Sequence, residues 1–233
     1  DVERSRGLGD VYKRQTFFNA GIVAKTAPLI LAAAWQTLAV GLLIVVTGVL
    51  AGTLLASVRY ATRSRVLRGL IVAYADIMRA LPPLVLLILV YFALPYVDIA
   101  MGAVMATWLC LSLVLAAFIE ECVWSGLCTT PPGQMEAARS TGMTWLAAMQ
   151  HVVLPQALRT ALPQITNRCI ATVKNTALGS VIGFSEVLGT AQVASSDFAN
   201  PTPLTLCAAV YILMIFPIVL LSRYLETKAG HRS

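Results

Sequence analysis

Glu136-Ala137-Ala138-Arg139-Ser140-Thr141-Gly142, followed after nine intervening residues by Val152-Val153-Leu154-Pro155, decides how this chain is read. As a pattern it is Glu-Ala-Ala, three free positions, Gly, nine more free positions, an aliphatic residue, any residue, then Leu-Pro. It lies in a polar gap between segments apolar enough to span a bilayer. Thr129-Thr130-Pro131-Pro132 just before it suit a helix start, with hydroxyls for the free N–H groups and proline in the first turn. Gln134 to Thr141 is then predicted helical, with Glu136 near the N-terminus, where a carboxylate suits the helix dipole. Gly142 is expected to end that helix in the left-handed region. Thr144 is expected to start a second helix through Trp145 to His151, stopping before Pro155. Two short helices meeting at a glycine make a knob. Ala137 and Ala138 allow close backbone approach, and Glu136 offers its charge to a partner's Arg or Lys. The alternative is an ordinary amphipathic loop helix, which Gly142 and Leu154-Pro155 in register disfavour.

The composition says what surrounds this knob. Of 233 residues 58% are hydrophobic and 12% charged, against about 25% charged in a soluble domain. A membrane protein is indicated. The net charge of +6 is then read as orientation rather than nucleic-acid binding, since Lys and Arg accumulate on the cytoplasmic side. The five cysteines are scattered, form no C-x-x-C, and read as small hydrophobes. Residues 1–15 are polar and show neither periodicity nor the apolar stretch of a secretory signal. They read as adaptor-like, non-native sequence or as a natural disordered tail.

Spanning takes about 20 apolar residues. No charge occurs from Thr26 to Val58, so the first span is placed at 35–58 with an interfacial lead-in at 28–34. A basic cluster (Arg59, Arg63, Arg65, Arg68) precedes an amphipathic piece at 69–79 that carries Asp76 and Arg79. The second span is placed at 80–96, opened by Pro82-Pro83, with a tight turn at Pro95 and Asp98. The third, 99–119, ends at Glu120-Glu121, and the knob occupies a loop at 122–158. A fourth segment at 160–184 contains Asn167, Arg168 and Lys174, and the last span is 203–222. This makes an all-α membrane protein of about five spans. The domain is 26–225, between a tail at 1–25 and a C-terminal tail at 226–233. The three segments placed inside carry five, two and three Lys or Arg, and the two outer loops none. The C-terminus is therefore expected in the cytoplasm.

The pattern resembles the cytoplasmic coupling loop of the membrane subunits of bacterial ATP-binding-cassette importers. Within them the chain is similar to permeases for polar amino acids, the histidine, glutamine, glutamate, arginine and opine group. The likeness rests on Arg79-Ala80-Leu81-Pro82, Tyr91-Phe92-Ala93-Leu94-Pro95, Gly133 to Met143, Val153 to Arg159, Lys174-Asn175-Thr176-Ala177-Leu178 and Ser185-Glu186-Val187-Leu188. It departs where such permeases usually have Glu-x-x-Arg-Gly: Glu121 is kept, but Trp124 stands in place of Arg. Leu81 and Leu86 replace common Thr and Gln. The resemblance implies the type I importer fold (MetI-like) in a bacterial inner membrane. It also implies an identical or homologous second permease, a periplasmic or extracellular binding protein, and a separate ATPase dimer. Glu136, Ala137, Ala138, Gly142, Leu154 and Pro155 would contact that ATPase.

An ionised group at the bilayer centre costs about 2.5–3.5 kcal/mol on insertion scales, so Lys174 should face protein or water. Two readings stay open. Lys174, Asn175, Thr176 and Glu121 line the substrate path or brace its gate, or Lys174 is a structural pair with Glu121 or Glu186. Asn167 is expected to bind a neighbouring helix, Arg168 to snorkel, and Pro82, Pro163 and Pro217 to set kinks. No G-x-x-x-x-G-K-[ST] occurs, so no P-loop is present and ATP hydrolysis falls to another chain. H-E-x-x-H and G-x-S-x-G are missing too, and no cofactor, metal or enzymatic role is expected. An intramembrane enzyme would need a serine paired with Lys174, with Ser180 and Ser185 the nearest candidates. A secondary transporter would need inverted repeats, which the sequence does not display.

Overall fold

The structure, a computed structural model, describes residues 16–230. The expectation for residues 1–15, and the end of the C-terminal tail at 231–233, lie outside the described residues. Within them the regular elements are all helical.

Helix α1 (Ala20–Ala61) begins at Asn19, whose side chain accepts from the amides of Gly21 and Ile22. Its 42 residues extend about 63 Å at 1.5 Å each, twice the hydrocarbon thickness of about 30 Å. The lead-in expected at 28–34 is not a separate element, since α1 runs straight through Pro28. Packing is the reason: Ile30 and Ala33 are buried against Val187, Ala191, Cys207 and Val210. Further in, a stripe of small residues lets a neighbour approach closely. A Cβ on Gly48 would sit 2.9 Å from the Leu115 side chain, and one on Gly52 2.5 Å from the Ala116 carbonyl oxygen.

That neighbour is α4 (Ala103–Thr129), the central helix, buried along most of its length. It was expected to end at Glu120-Glu121 but continues two more turns, because Arg59 of α1 neutralises both carboxylates. Between α1 and α4 come α2 (Arg65–Ala80) and α3 (Pro83–Ala93), the latter closed by a short turn at Leu94–Val97 with Asp98 at φ 62°. A bend of 100° separates α2 from α3. Leu81 takes the extended conformation that a following proline imposes, as the expected kink at Pro82 requires.

The loop after α4 holds α5 (Gly133–Ser140) and α6 (Trp145–Ala148). Then α7 (Leu154–Asn175) continues into a tighter helix at Thr176–Ile182 that stops at Gly183, φ 88°. Finally α8 (Val187–Asp197) and α9 (Thr202–Gly230) return across α1. Pro163 and Pro217 lie inside α7 and α9. Among the described residues three helices are long and apolar enough to cross a membrane alone, and up to five spans result if each bent pair counts as one. The five-span layout corresponds to that upper number.

Buried carboxylates hold the two ends of the bundle. At the end nearer the loop, Glu120 is 0% exposed and accepts from Arg59 Nη1 at 3.0 Å. At the other end, Glu186 is equally buried and caps α8, accepting from the amides of Leu188 (2.8 Å) and Gly189 (2.7 Å). Tyr211 of α9 donates to the same carboxylate at 2.7 Å.

Candidate functional site: the Glu-Ala-Ala knob and the polar face of α7

The knob forms as its sequence suggests, with two differences. Helix α5 ends where the Ser140 and Thr141 hydroxyls donate to the carbonyls of Ala137 and Ala138, both at 2.8 Å. Gly142 follows at φ 91°, in the left-handed region. Thr144 then caps α6, its hydroxyl accepting from the Ala147 amide at 3.2 Å. The first difference concerns Thr129 and Thr130. They do not cap α5; both hydroxyls donate back to the Gly126 carbonyl, at 2.9 and 3.0 Å, and α5 opens on Pro132 without a side-chain cap.

The second difference concerns Pro155. The helix from Trp145 does not stop before it. A wide turn at Met149–Val153 carries α6 directly into α7, with Pro155 in the first turn of α7. There the missing N–H costs little, because the wider turn already breaks the regular hydrogen-bond register. His151 is exposed and its Nδ1 lies 3.0 Å from the Ala147 carbonyl.

Packing divides the motif residues. Ala138 is buried against the base, while Glu136, Ala137 and Gly142 are exposed and Leu154 and Pro155 half-buried. Glu136 makes no ion pair among the described residues. Met143 and Leu146 add exposed apolar surface to the tip. Beneath it, Met135 and Trp145 pack on the core formed by Leu127, Met149, Val153 and Ala157. The Gln156 amide donates to Gln134 Oε1 at 3.1 Å and ties α7 to α5. A Cβ on Gly126 would collide with the Ala157 carbonyl oxygen, so α4 and α7 touch backbone to backbone under the knob.

Alongside this base lies an ionic cluster that the sequence did not reveal. Arg59 reaches Glu120 and, at 3.6 Å, Glu121. Arg79 of α2 also reaches Glu121 at 3.6 Å, and pairs with Asp76 at 2.6 Å. The Arg59 guanidinium stacks 4.0 Å over the ring of Trp124. Trp124, anomalous in sequence, therefore serves as the face that covers a buried cation. An arginine there would place a second positive charge beside Arg59.

Lys174 pairs with neither Glu121 nor Glu186, both of which are engaged elsewhere, and is exposed. Val173 beside it meets Gly41, about 27 Å above Arg59 along α1 at 1.5 Å per residue, deep in the bundle. Lys174 opens onto a groove of about 470 Å³ lined by Ala177, Tyr211 and Phe216. Asn175 is half-buried, whereas Thr176 is fully buried and donates to the Val173 carbonyl at 2.7 Å. Asn167 is exposed and makes no hydrogen bond to another helix among the described residues. Arg168 stacks on Phe118 at 4.2 Å. Gln164, Asn167, Arg168 and Lys174 share one exposed face of α7.

Known proteins place this geometry. Residues 44–231 match the family described as binding-protein-dependent transport system inner membrane component. The probable glutamine ABC transporter permease protein GlnP of Bacillus subtilis (strain 168) is 34% identical over 78% of this chain and 83% of its own. The probable amino-acid ABC transporter permease protein YckA of the same organism is 29% identical over 92% and 95%. Among solved structures, one described as an amino acid ABC transporter with histidines superposes with a TM-score of 0.79 at 31% identity, over 88% of this chain and 96% of that one. The MetNI methionine ABC transporter superposes with a TM-score of 0.68 at 21% identity, over 91% and 99%, a likeness of fold.

Proposed function

The chain belongs to the binding-protein-dependent transport inner-membrane family, and we propose that it is the permease subunit of an ATP-binding-cassette importer for a polar amino acid. A periplasmic or extracellular binding protein delivers the solute, and a separate ATPase dimer drives translocation. The permease domain is 26–225, in a bacterial inner membrane, with the knob and the C-terminus on the cytoplasmic side. A glutamine-type cargo is favoured by the names of the relatives above.

The observation that carries the coupling assignment is the tip itself. Glu136 and Ala137 stand exposed beside a glycine in the left-handed region, on a base fixed by the Gly126–Ala157 contact. An unpaired carboxylate between small and apolar surfaces fits a groove edged with Arg or Lys. Leu154 and Pro155 support the tip from below. Replacing Gly142 with Arg is expected to abolish substrate-stimulated ATP hydrolysis in the assembled complex while the chain still inserts; unchanged hydrolysis refutes the coupling role.

The face bearing Gln164, Asn167, Arg168 and Lys174 supports a pair of permeases around a shared path. Such a face is costly against lipid, at about 2.5–3.5 kcal/mol per charge near the bilayer centre. A second copy, or a homologue, enclosing a wet path relieves that cost. Lys174 and Asn175 then line the path, while buried Thr176 and the ion-paired Glu121 brace its walls. Lys174→Ala is expected to impair uptake in vesicles while assembly persists; normal uptake counts against the assignment.

A further inference from the structure

Helix α2 has three faces of different chemistry. Only Ile71 and Ala75 are buried. At about 100° per residue, Val66, Leu70, Ala73 and Ile77 share an arc of about 60°, and all four are exposed. Arg65, Gly69, Asp76 and Arg79 share a second arc, centred about 110° from the first. Arg63, just before the helix, and Arg65 are exposed and make no ion pair among the described residues. No acidic residue occurs from Thr26 to Ala75 to balance them.

Contacts with α4 fix the height of α2 and the way its faces point. Helix α3 lies along α4, with Leu86 and Leu87 packed among Ala106, Cys110 and Val114. The bend of 100° before α3 therefore turns α2 across the bundle. Tyr74 donates to the Leu113 carbonyl at 2.7 Å, whereas Arg79 reaches Glu121 at 3.6 Å. These anchors are about 12 Å apart along α4, with Glu121 on the side of the knob. The polar arc thus turns toward the end of the span. The Tyr74 side turns toward its middle, where Leu54, Leu109 and Leu113 lie beside the ring. The apolar arc is centred about 70° from Tyr74 and about 150° from Arg79.

From this we infer that α2 is an interfacial helix lying in the leaflet on the knob's side. Val66, Leu70 and Ile77 enter the acyl boundary, and Arg63 and Arg65 meet the phosphates of anionic lipids. An in-plane helix with its apolar side toward the hydrocarbon and its basic side toward the headgroups is the form that a membrane surface holds. Basic residues beside spanning helices favour anionic lipid. The apolar arc also continues onto Leu54 of α1, itself exposed on an apolar span. The inference rests on the chain's place in a membrane and on neither the coupling nor the path assignment. Failure of either leaves it standing, and its own failure leaves them standing.

The test uses the whole complex in phosphatidylcholine vesicles doped with phosphatidylglycerol that carries a photoreactive group at the glycerol end of one acyl chain. Crosslinks are mapped by mass spectrometry. Val66, Leu70 and Ile77 are expected to be labelled more heavily than Gly69 and Asp76. Ile77 stands about 18 Å along the helix from Arg65 and serves as an internal reference. Replacing both arginines, Arg63→Gln with Arg65→Gln, should lower the labelling of Val66 relative to Ile77 about five-fold. Both are exposed, so the core is undisturbed. Equal labelling of the two arcs, or a ratio unmoved by the double replacement, overturns the inference. So does a disulfide joining Leu70→Cys to a second permease, or a crosslink from it to the ATPase, either of which would give the apolar arc to a protein partner.

Discussion

Gly126 and Gly142 stand at the base and the tip of the same loop and are glycines for opposite reasons. Gly126 has no room: a Cβ there meets the Ala157 carbonyl. Gly142 has open space on all sides, but its φ of 91° disfavours any L side chain. The base is therefore fixed by what surrounds it, and the tip by its own backbone. A knob that must meet another protein cannot rely on neighbours for its shape, because its surface has to stay free. Its rigidity has to come from local chemistry.

Breaking the base should cost most. Arg59→Ala leaves Glu120 buried and uncompensated, and is expected to destabilise the complex by about 3–5 kcal/mol, read as a lowered melting temperature in detergent. Adding Glu120→Gln should recover part of the loss; no recovery would mean that Arg59 acts mainly through Trp124. Gly126→Asn pushes α4 from α7 and should cost about 1–3 kcal/mol, seen as reduced yield of assembled complex. Gly142→Asn sharpens the contrast, since asparagine tolerates the left-handed region. It should leave the melting temperature nearly unchanged, while Gly142→Ala costs about 1–2 kcal/mol. If Asn at 126 were tolerated better than Asn at 142, the distinction between crowding and conformation would fail. The smallest effect is expected from Gln156→Ala, about 0.5–1.5 kcal/mol for one hydrogen bond, visible as faster hydrogen exchange in α5.

The tip was legible because its signals are local. Gly142 and Thr144 carry their conformations in their own residue types, and both take them in the structure. Pro155 misled, because a proline that ends one helix is also at home in the first turn of the next, and the wide turn at Met149–Val153 hides the seam. The ionic cluster was illegible for a different reason. Arg59 and Glu120 are 61 residues apart, and each sits at the end of an apolar run where a charge is ordinary. Trp124 was the one available clue, a departure from the family pattern whose cause is the guanidinium above it. For Lys174 the sequence left a path and an ion pair open, and only the engagement of Glu121 and Glu186 elsewhere disposes of the pair.

The seam between α6 and α7 has a mechanical consequence. From Trp145 onward the helix continues to Ile182 without a break, so the tip and Lys174 belong to one lever arm. Leu154 and Lys174 stand about 30 Å apart along it at 1.5 Å per residue. A tilt of about 10° at the tip would swing the lysine sideways by about 5 Å over that length, enough to turn its ammonium from one neighbour to another.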